Sequence, residues 1–292
     1  MNGAFLTCAM SVLASAAWAQ NAGVLLLAHG GQARWNKDVA AVRDGLDRNW
    51  PAEVAFGMAD VAQIQAAIDR LEKRGVDRVI AVPLFVNSSS EVMEHTRYVL
   101  GLKREPSQIL RDAMAFHSAH MHGHRFSLGQ VSTDLPILLT AALDDHPLIG
   151  DILAERAKTL SRDPSRETVI LVGHGPVDDK ADPVWLSTME SLAKRVGSKA
   201  GFKAAFAATI RDDSPAEVKE RASVALRKMV AEASKDGEAI VVPLLIARGG
   251  IESRISRILK GQRYRWDGST LLPHPNVERW AIESVKAAIG GN

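Results

Sequence analysis

The chain has 292 residues, of which 46% are hydrophobic and 24% are charged. This length suits two modest domains, and the composition is ordinary for a globular protein. The net charge of +2 comes from interspersed acidic and basic residues with no long basic run, so the charge pattern does not favour nucleic acid or a membrane surface as a partner.

The first segment of the chain is apolar and contains no charged side chain up to the motif Ala17-Trp18-Ala19. This small-x-small motif is typical of a signal-peptidase site, although the basic residue usual near the start of a signal is missing. We predict an export signal, residues 1–19, cleaved after Ala19, and a periplasmic protein. The alternative is an apolar N-terminal strand or helix of the fold. The single cysteine, Cys8, lies in this segment, so the mature chain would contain neither a disulfide nor a thiolate ligand.

Strands and helices are predicted to alternate after this segment. The run VLLLAHG at residues 24–30 is apolar until it ends in glycine, as in a strand buried on both faces of a parallel sheet. Residues 61–75 carry apolar side chains at helical spacing and close on a glycine. The run VIAVPLFV at residues 79–86 predicts the next buried strand. This order predicts βαβ units and a parallel sheet, and no later segment reaches the roughly 20 apolar residues of a transmembrane helix.

The same pattern then recurs, which indicates an internal repeat. VLLLAHG is matched by VILVGHG at residues 169–175, and the strand ending in VPL at residue 84 is matched by another ending in VPL at residue 244. Each half closes on a His-Pro pair, at His146 and at His274, which we interpret as a turn at the entry to a helix.

We therefore predict an α/β protein of two similar domains, each a mainly parallel sheet flanked by helices. The domains would span residues 22–162 and 166–290, with the join in the polar stretch 161–167. From Pro83 to Pro243 the offset between the halves is 160 residues, and from His146 to His274 it is 128. The first half therefore contains 32 extra residues between these landmarks, at about 102–134.

Three features of the first half are expected at the ligand-binding edge, because ligands of parallel α/β sheets bind outside the carboxyl ends of the strands. His29 follows the first strand, Asp60 in GMAD precedes the second helix, and NSSSEVMEH at residues 87–95 follows the PLF strand. Glu91, Glu94 and His95 would share one face of a helix. A glutamate in the first turn of a helix is also expected on structural grounds alone, and this interpretation is stronger for Glu94.

LLLAHGG and VPLFVNSSSEVMEHTRYVLG resemble the sirohydrochlorin chelatase family, the small class II chelatases that insert cobalt or iron into a tetrapyrrole. VILVGHG and VVPLLIARGG resemble a second copy. The resemblance implies a chelatase-type α/β fold with the tetrapyrrole in a cleft at the strand ends, where the serine stretch Ser88, Ser89 and Ser90 would approach it. It also implies that His29 is the first active-site histidine of the family.

The second histidine of the family usually stands in a Gly-His-Val pattern, and here Glu91 replaces it. Imidazole and carboxylate both bind divalent ions and accept protons, so the pair retains the required chemistry. The resemblance thus implies His29 as ligand and proton acceptor and Glu91 as second ligand or base. Glu94 and His95 would support them, with His95 a further possible metal ligand. The substrates would be a sirohydrochlorin-type macrocycle and Co²⁺, Fe²⁺ or Ni²⁺.

The second half is expected to be degenerate, since Ile251 stands where Glu91 would be. Arg248 and Arg254 offer cations that can pair with tetrapyrrole carboxylates, and a solvated basic helix start is an equal alternative. His174 keeps its place without its partner, so we expect a structural histidine or a contact to the second side of the cofactor.

The tract HSAHMHGH, residues 117–124, lies in the predicted insertion. Its imidazoles can bind Zn²⁺, Cu²⁺, Co²⁺ or Ni²⁺, although their spacing matches no fixed zinc pattern. We expect either a loop that loads metal or a lid over the cleft. A polar loop with adventitious affinity is the alternative. The histidines concerned are His117, His120, His122 and His124.

Three functions fit these features. The first is an exported chelatase acting on a metal and a tetrapyrrole. The second is a periplasmic carrier that binds metal or haem without turnover, which the export signal favours because sirohydrochlorin is made and used in the cytoplasm. The third, an inactive paralogue kept for interactions, is less favoured because His29 and Glu91 are both present. The sequence leaves open whether the protein is an enzyme, and the oligomeric state as well.

Overall fold

The computed structural model describes residues 21–108, 110, 111, 129–235 and 237–290. The predicted export signal and the histidine tract lie outside these residues. Within the described part of the chain, no helix combines the length and the apolar character that crossing a membrane requires.

Strands and helices alternate along the chain, as predicted. The elements up to the join are β1 (Ala22–Ala28), α1 (Ala33–Asp47), β2 (Ala52–Phe56), α2 (Val61–Lys73), β3 (Arg78–Leu84), α3 (Glu91–Val99), β4 (Ile137–Leu139) and α4 (Pro147–Leu160). A short 3₁₀ helix (Pro164–Arg166) leads to β5 (Glu167–Gly173), α5 (Asp182–Ala200), β6 (Ala204–Thr209), α6 (Ala216–Ala233), β7 (Glu238–Leu244), α7 (Ile251–Ile258) and α8 (Pro275–Gly290).

The strands form two parallel sheets, with orders β2-β1-β3-β4 and β6-β5-β7. The predicted α/β class with parallel sheets flanked by helices is therefore confirmed. In the first sheet β1 lies between β2 and β3, and in the second sheet β5 lies between β6 and β7. Leu26 of β1 therefore pairs with Val54 on one side and with Val82 on the other. Because all strands run in one direction, the loops that follow β1, β2 and β3 meet at one edge, and so do those that follow β5, β6 and β7.

Local side-chain caps start several of the helices. Asp60 accepts a hydrogen bond from the backbone N–H of Gln63 at the start of α2, and Ser90 accepts one from Met93 at the start of α3. His146 accepts a hydrogen bond from the N–H two residues further along at the start of α4, and His274 does the same before α8. The two His-Pro pairs thus form the helix-entry turns expected of them.

The core consists of three clusters, and alternate residues of each central strand point to different ones. Val24 and Leu26 of β1, together with Val169 and Leu171 of β5, belong to one large cluster that includes side chains from both halves. The intervening residues of β1 pack under α2 and α3, and those of β5 pack under α6 and α7. One continuous core therefore joins the two sheets.

The helix that closes each half packs against the other half. α4 packs on α5 and β7, and α8 packs on α1, α4 and β3. Trp280 of α8 is 1% exposed and belongs to the shared cluster. The hydrophobic core therefore continues across the boundary that the sequence predicts between residues 162 and 166.

Near the end of each half, two consecutive N–H groups donate to two consecutive carbonyls just after the third strand of that half. The N–H groups of Leu143 and Asp144 donate to the carbonyls of Phe85 and Val86. The N–H groups of Leu271 and Leu272 donate to the carbonyls of Leu245 and Ile246. Leu143 follows Phe85 by 58 positions and Leu271 follows Leu245 by 26. The connection between equivalent bonds is therefore 32 residues longer in the first half.

Candidate functional site

His29 and His174 stand directly after the central strands β1 and β5 and have the same side-chain geometry. In each, Nδ1 lies 2.8 Å from the carbonyl oxygen of the following glycine. A carbonyl oxygen only accepts, so Nδ1 carries the proton and Nε2 of the neutral ring keeps its lone pair. His29 therefore presents Nε2 as a possible metal ligand or proton acceptor, whereas Nε2 of His174 faces the carboxylate of Asp213 and would bind a metal only after it loses its proton. His29 is exposed, and His174 is half-buried.

A glycine is required after each histidine for this geometry. Gly30 and Gly175 both have a φ of +82°, a region that disfavours side chains. A Cβ on Gly175 would also stand 2.7 Å from the Cβ of Thr209, closer than real contacts allow. The glycine of the His-Gly pair in both halves is thus a backbone requirement of the turn at the strand end.

Glu91 reaches across to the second half of the chain. Its Oε1 accepts hydrogen bonds from the backbone N–H of Val177 at 3.1 Å and of Asp178 at 3.2 Å. These N–H groups belong to the loop that carries His174. The residue expected to complete a metal pair with His29 therefore also links the loop after β3 to the loop after β5.

The two predicted supporting residues of α3 have different surroundings: Glu94 lies in ion pairs, and His95 lies in the core. Glu94 forms ion pairs with Arg97 at 2.7 Å and Lys103 at 2.5 Å. Burial raises the pKa of Glu94, but its hydrogen bond to Lys103 and the two nearby cations outweigh this effect and lower it. His95 is 1% exposed and belongs to the buried face of the helix.

The serine stretch is held by hydrogen bonds within the protein. The N–H and Oγ of Ser88 donate to the two carboxylate oxygens of Asp144, at 2.7 and 2.6 Å. Ser90 caps α3, while Ser89 is exposed and donates its N–H to the side chain of Asn87. Of the three serines, Ser89 is the one whose side chain faces solvent at this edge.

Two aspartates that the sequence reasoning missed meet His174. One ligand atom each from His174, Asp212 and Asp213 lies within 4.8 Å of the other two. Among the residues that the structure describes, no other group of three or more His, Cys, Asp and Glu side chains has a spacing suited to a metal. His29, Glu91 and His95 do not form such a group.

The contacts within this cluster define its electrostatics. Nε2 of His174 lies 3.2 Å from Oδ2 of Asp213, and Arg254 pairs with Oδ1 of Asp212. Burial lowers the pKa of His174, but the hydrogen bond and charge of Asp213 outweigh it, so that the pKa is raised. Asp212 is 6% exposed, whereas the Asp213 side chain is 52% exposed. The cluster therefore opens to solvent at Asp213.

Arg211 holds the aspartate loop against the histidine loop. It is 5% exposed, with a left-handed φ of 51°. Its guanidinium donates to the carbonyls of Pro176 at 2.6 Å and Val177 at 2.8 Å, and to Asp179 at 2.8 Å. The sequence signal was the motif RDDSP, which begins one residue beyond the end of the strand AAFAAT. In a parallel sheet, that position meets the end of the neighbouring central strand.

The arginines expected to meet tetrapyrrole carboxylates lie around α7. Arg254 is paired with Asp212, and the exposed Arg248 donates to the carbonyl of Asp267 at 3.0 Å. The loop between them approaches the first half, because a Cβ on Gly249 would lie 3.7 Å from Cδ1 of Trp35. The loop after β7 therefore borders the start of α1, the helix that follows His29 along the chain.

Residues 23–160 match the family model described as CbiX. Among solved structures, the chain is similar to SirB from Bacillus subtilis, determined with Fe³⁺, with a TM-score of 0.63 and 15% identity over 92% of this chain and 96% of that one. It is also similar to DR2241 from Deinococcus radiodurans, a multi-domain protein with structural similarity to chelatases. That match has a TM-score of 0.51 and 17% identity over 90% of this chain and 54% of the other. A search of curated proteins found no match. Residues 23–160 of this chain are therefore similar to the CbiX family, and the chain as a whole shares its fold with SirB.

Proposed function

We propose that the chain is a class II chelatase-like protein that binds a divalent metal ion and a tetrapyrrole and inserts the metal into the macrocycle. The substrates would be Co²⁺, Fe²⁺ or Ni²⁺ and a sirohydrochlorin-type tetrapyrrole. The observation that supports this proposal best is the geometry of His29. Its Nε2 is presented at the end of the central strand, within the segment that matches the CbiX family.

The proposed chemistry needs a metal ligand and a base. Nε2 of His29 would bind the ion or accept a proton from a pyrrole nitrogen, because its lone pair is free of the Nδ1 contact. Glu91 would act as second ligand or base through Oε2, because Oε1 is engaged by two backbone N–H groups. The guanidinium of Arg248 would pair with a tetrapyrrole carboxylate from the second half.

The test uses the chain without residues 1–19, mixed with sirohydrochlorin and Co²⁺, and follows the visible spectrum. We expect turnover that falls about 100-fold or more in His29→Ala, the usual contribution of one acid–base group. His146→Asn is the matched control, because it removes a histidine and retains a side chain able to cap α4. A rate in the unmodified chain equal to that of the uncatalysed reaction would rule out the chelatase.

A periplasmic carrier of metal or haem is the second candidate. The apolar segment that ends at Ala19 supports export, and export would remove the protein from cytoplasmic sirohydrochlorin. Haem titration followed by the Soret band tests this candidate, and a lack of saturable binding would contradict it. Mass spectrometry of the secreted chain would show whether it begins after Ala19.

We also propose that the two halves are copies of one unit and that the histidine tract is an auxiliary metal-gathering loop. The common histidine geometry and the common closing hydrogen bonds support the first proposal. The second rests on four imidazoles within eight positions. Deletion of residues 117–124 should weaken metal binding and leave the folded state intact, whereas unchanged metal stoichiometry and affinity would contradict it.

A further inference from the structure

We infer that the second half carries a divalent-cation site of its own, in which His174, Asp212 and Asp213 bind the ion. The ligands would be Nε2 of the histidine and one oxygen from each carboxylate. The three donor atoms already lie within 4.8 Å of one another. Metal–ligand bonds of about 2.0–2.2 Å place donors around a common ion roughly 3–4 Å apart, so only small side-chain adjustments are needed.

Two of the three donors have the supporting contacts that metal ligands usually have. Nδ1 of His174 is engaged by the carbonyl of Gly175, which orients the ring so that Nε2 faces Asp213. Arg254 holds Oδ1 of Asp212, which leaves Oδ2 outside that ion pair. A backbone carbonyl behind a ligating imidazole and a cation behind a ligating carboxylate are common partners in protein metal sites.

The charges of the cluster favour a divalent ion. Once the ion has displaced the Nε2 proton of His174, two carboxylates and a neutral imidazole beside the Arg254 guanidinium sum to one negative charge, which a divalent cation more than compensates. A set of one nitrogen and two oxygens suits Zn²⁺, Co²⁺, Fe²⁺ or Mn²⁺ better than soft Cu⁺. Three protein ligands also leave at least one position for water or another ligand. The exposed side of Asp213 gives that position access from solvent.

The corresponding loop of the first half lacks this donor set. Four residues separate β2 from α2, against six between β6 and α6. In the shorter loop the acidic residue, Asp60, caps α2 through its contact with Gln63. The inferred site therefore belongs to the second half alone. It goes beyond the proposed function, because it requires neither His29 nor turnover.

The experiment uses the chain without residues 1–19, with the four histidines of the tract replaced by alanine so that they do not compete. Co²⁺ is the probe, measured near neutral pH by equilibrium dialysis and by its visible absorption. We expect one Co²⁺ equivalent that is lost, or bound at least about tenfold more weakly, in His174→Ala and in Asp213→Asn. Asp145→Asn, a change at an exposed aspartate outside the cluster, should retain it.

The variants also separate this inference from the proposed function. His29→Ala should retain the equivalent that depends on Asp213 even if it abolishes metal insertion. Asp213→Glu, which keeps the carboxylate, should bind Co²⁺ more tightly than Asp213→Asn. The inference is overturned if folded His174→Ala and Asp213→Asn proteins, checked by circular dichroism, bind Co²⁺ with the stoichiometry and affinity of the parent.

Discussion

Oε1 of Glu91, at the start of α3, accepts a hydrogen bond from the backbone N–H of Val177, which lies three residues beyond His174. A carboxylate of the first half thus holds the loop that carries the histidine of the second half. The same oxygen also accepts the N–H of Asp178. Any role of Glu91 in metal insertion therefore coexists with a role in joining the two strand-end regions.

Glu91→Gln and Glu91→Ala should separate these two roles. The amide oxygen of Gln can still accept the N–H groups of Val177 and Asp178, whereas Ala leaves them without this acceptor. We expect Ala to cost about 1.5–3 kcal/mol in urea unfolding, as for hydrogen bonds to charged groups, and Gln to cost about half as much. If Glu91 is also a ligand or base, Gln should lower Co²⁺ insertion more than its effect on stability explains.

Glu220→Ala is the control for the stability measurement, because Glu220 forms a surface ion pair with Arg227. Equal free energies of unfolding for the parent, Glu91→Gln and Glu91→Ala would show that the hydrogen bonds of Glu91 contribute no stability.

Glu167 should make the stability of the protein depend on pH. Its carboxylate, 2% exposed at the start of β5, accepts hydrogen bonds from Ser161, Arg162 and Asp163 and pairs with Arg265 at 2.6 Å. Burial raises the pKa of Glu167, but these hydrogen bonds outweigh burial, so that the folded-state pKa lies below the ordinary value. Its contribution to stability is therefore present above the unfolded-state pKa and is lost as pH falls through the folded-state pKa.

Glu167→Gln should lower the free energy of unfolding by about 2–4 kcal/mol at neutral pH, because it leaves Arg265 without the anion that balances its charge. The loss should shrink as pH falls through the acidic range where Glu167 itself becomes protonated. Urea unfolding at several pH values measures this difference. The exposed pair of Glu232 with Lys235 provides the comparison, and Glu232→Gln should change the pH profile far less, because solvent screens an exposed ion pair. If Glu167→Gln lowers the free energy of unfolding by the same amount from neutral to acidic pH, Glu167 is not the source of the pH dependence.

Trp280→Ala should destabilise both halves together. The Trp280 side chain is 1% exposed in the cluster that joins the two sheets, and truncation of such a residue costs about 3–5 kcal/mol. Because α4 and α8 each pack across the halves, we expect one unfolding transition in calorimetry, and a fragment of residues 22–162 that does not fold alone. Cooperative unfolding of that fragment, or two separate transitions, would contradict the shared core.

The strand and helix pattern was predictable because it depends on short-range hydrophobic periodicity. VLLLAHG and VILVGHG are apolar on both faces, and the structure places them as the central strands β1 and β5. Helix entries at His146 and His274 followed from proline chemistry. The crossing of α4 and α8 could not be predicted in this way, since an apolar helix face does not specify which sheet it covers.

Sequence by itself determined that His29 and His174 follow buried strands and that each is followed by a glycine, because a continuous apolar run and its glycine turn are local features. Only the tertiary structure decided which carboxylates the histidines meet. The family resemblance favoured Glu91 as the partner of His29, and the comparison between halves left Ile251 at the matching position. The fold instead brings Asp212 and Asp213 beside His174 and ties Glu91 to Val177. The physical reason is the pairing of β5 with β6 and the packing of the two halves around one core, which bring together loops that are distant along the chain.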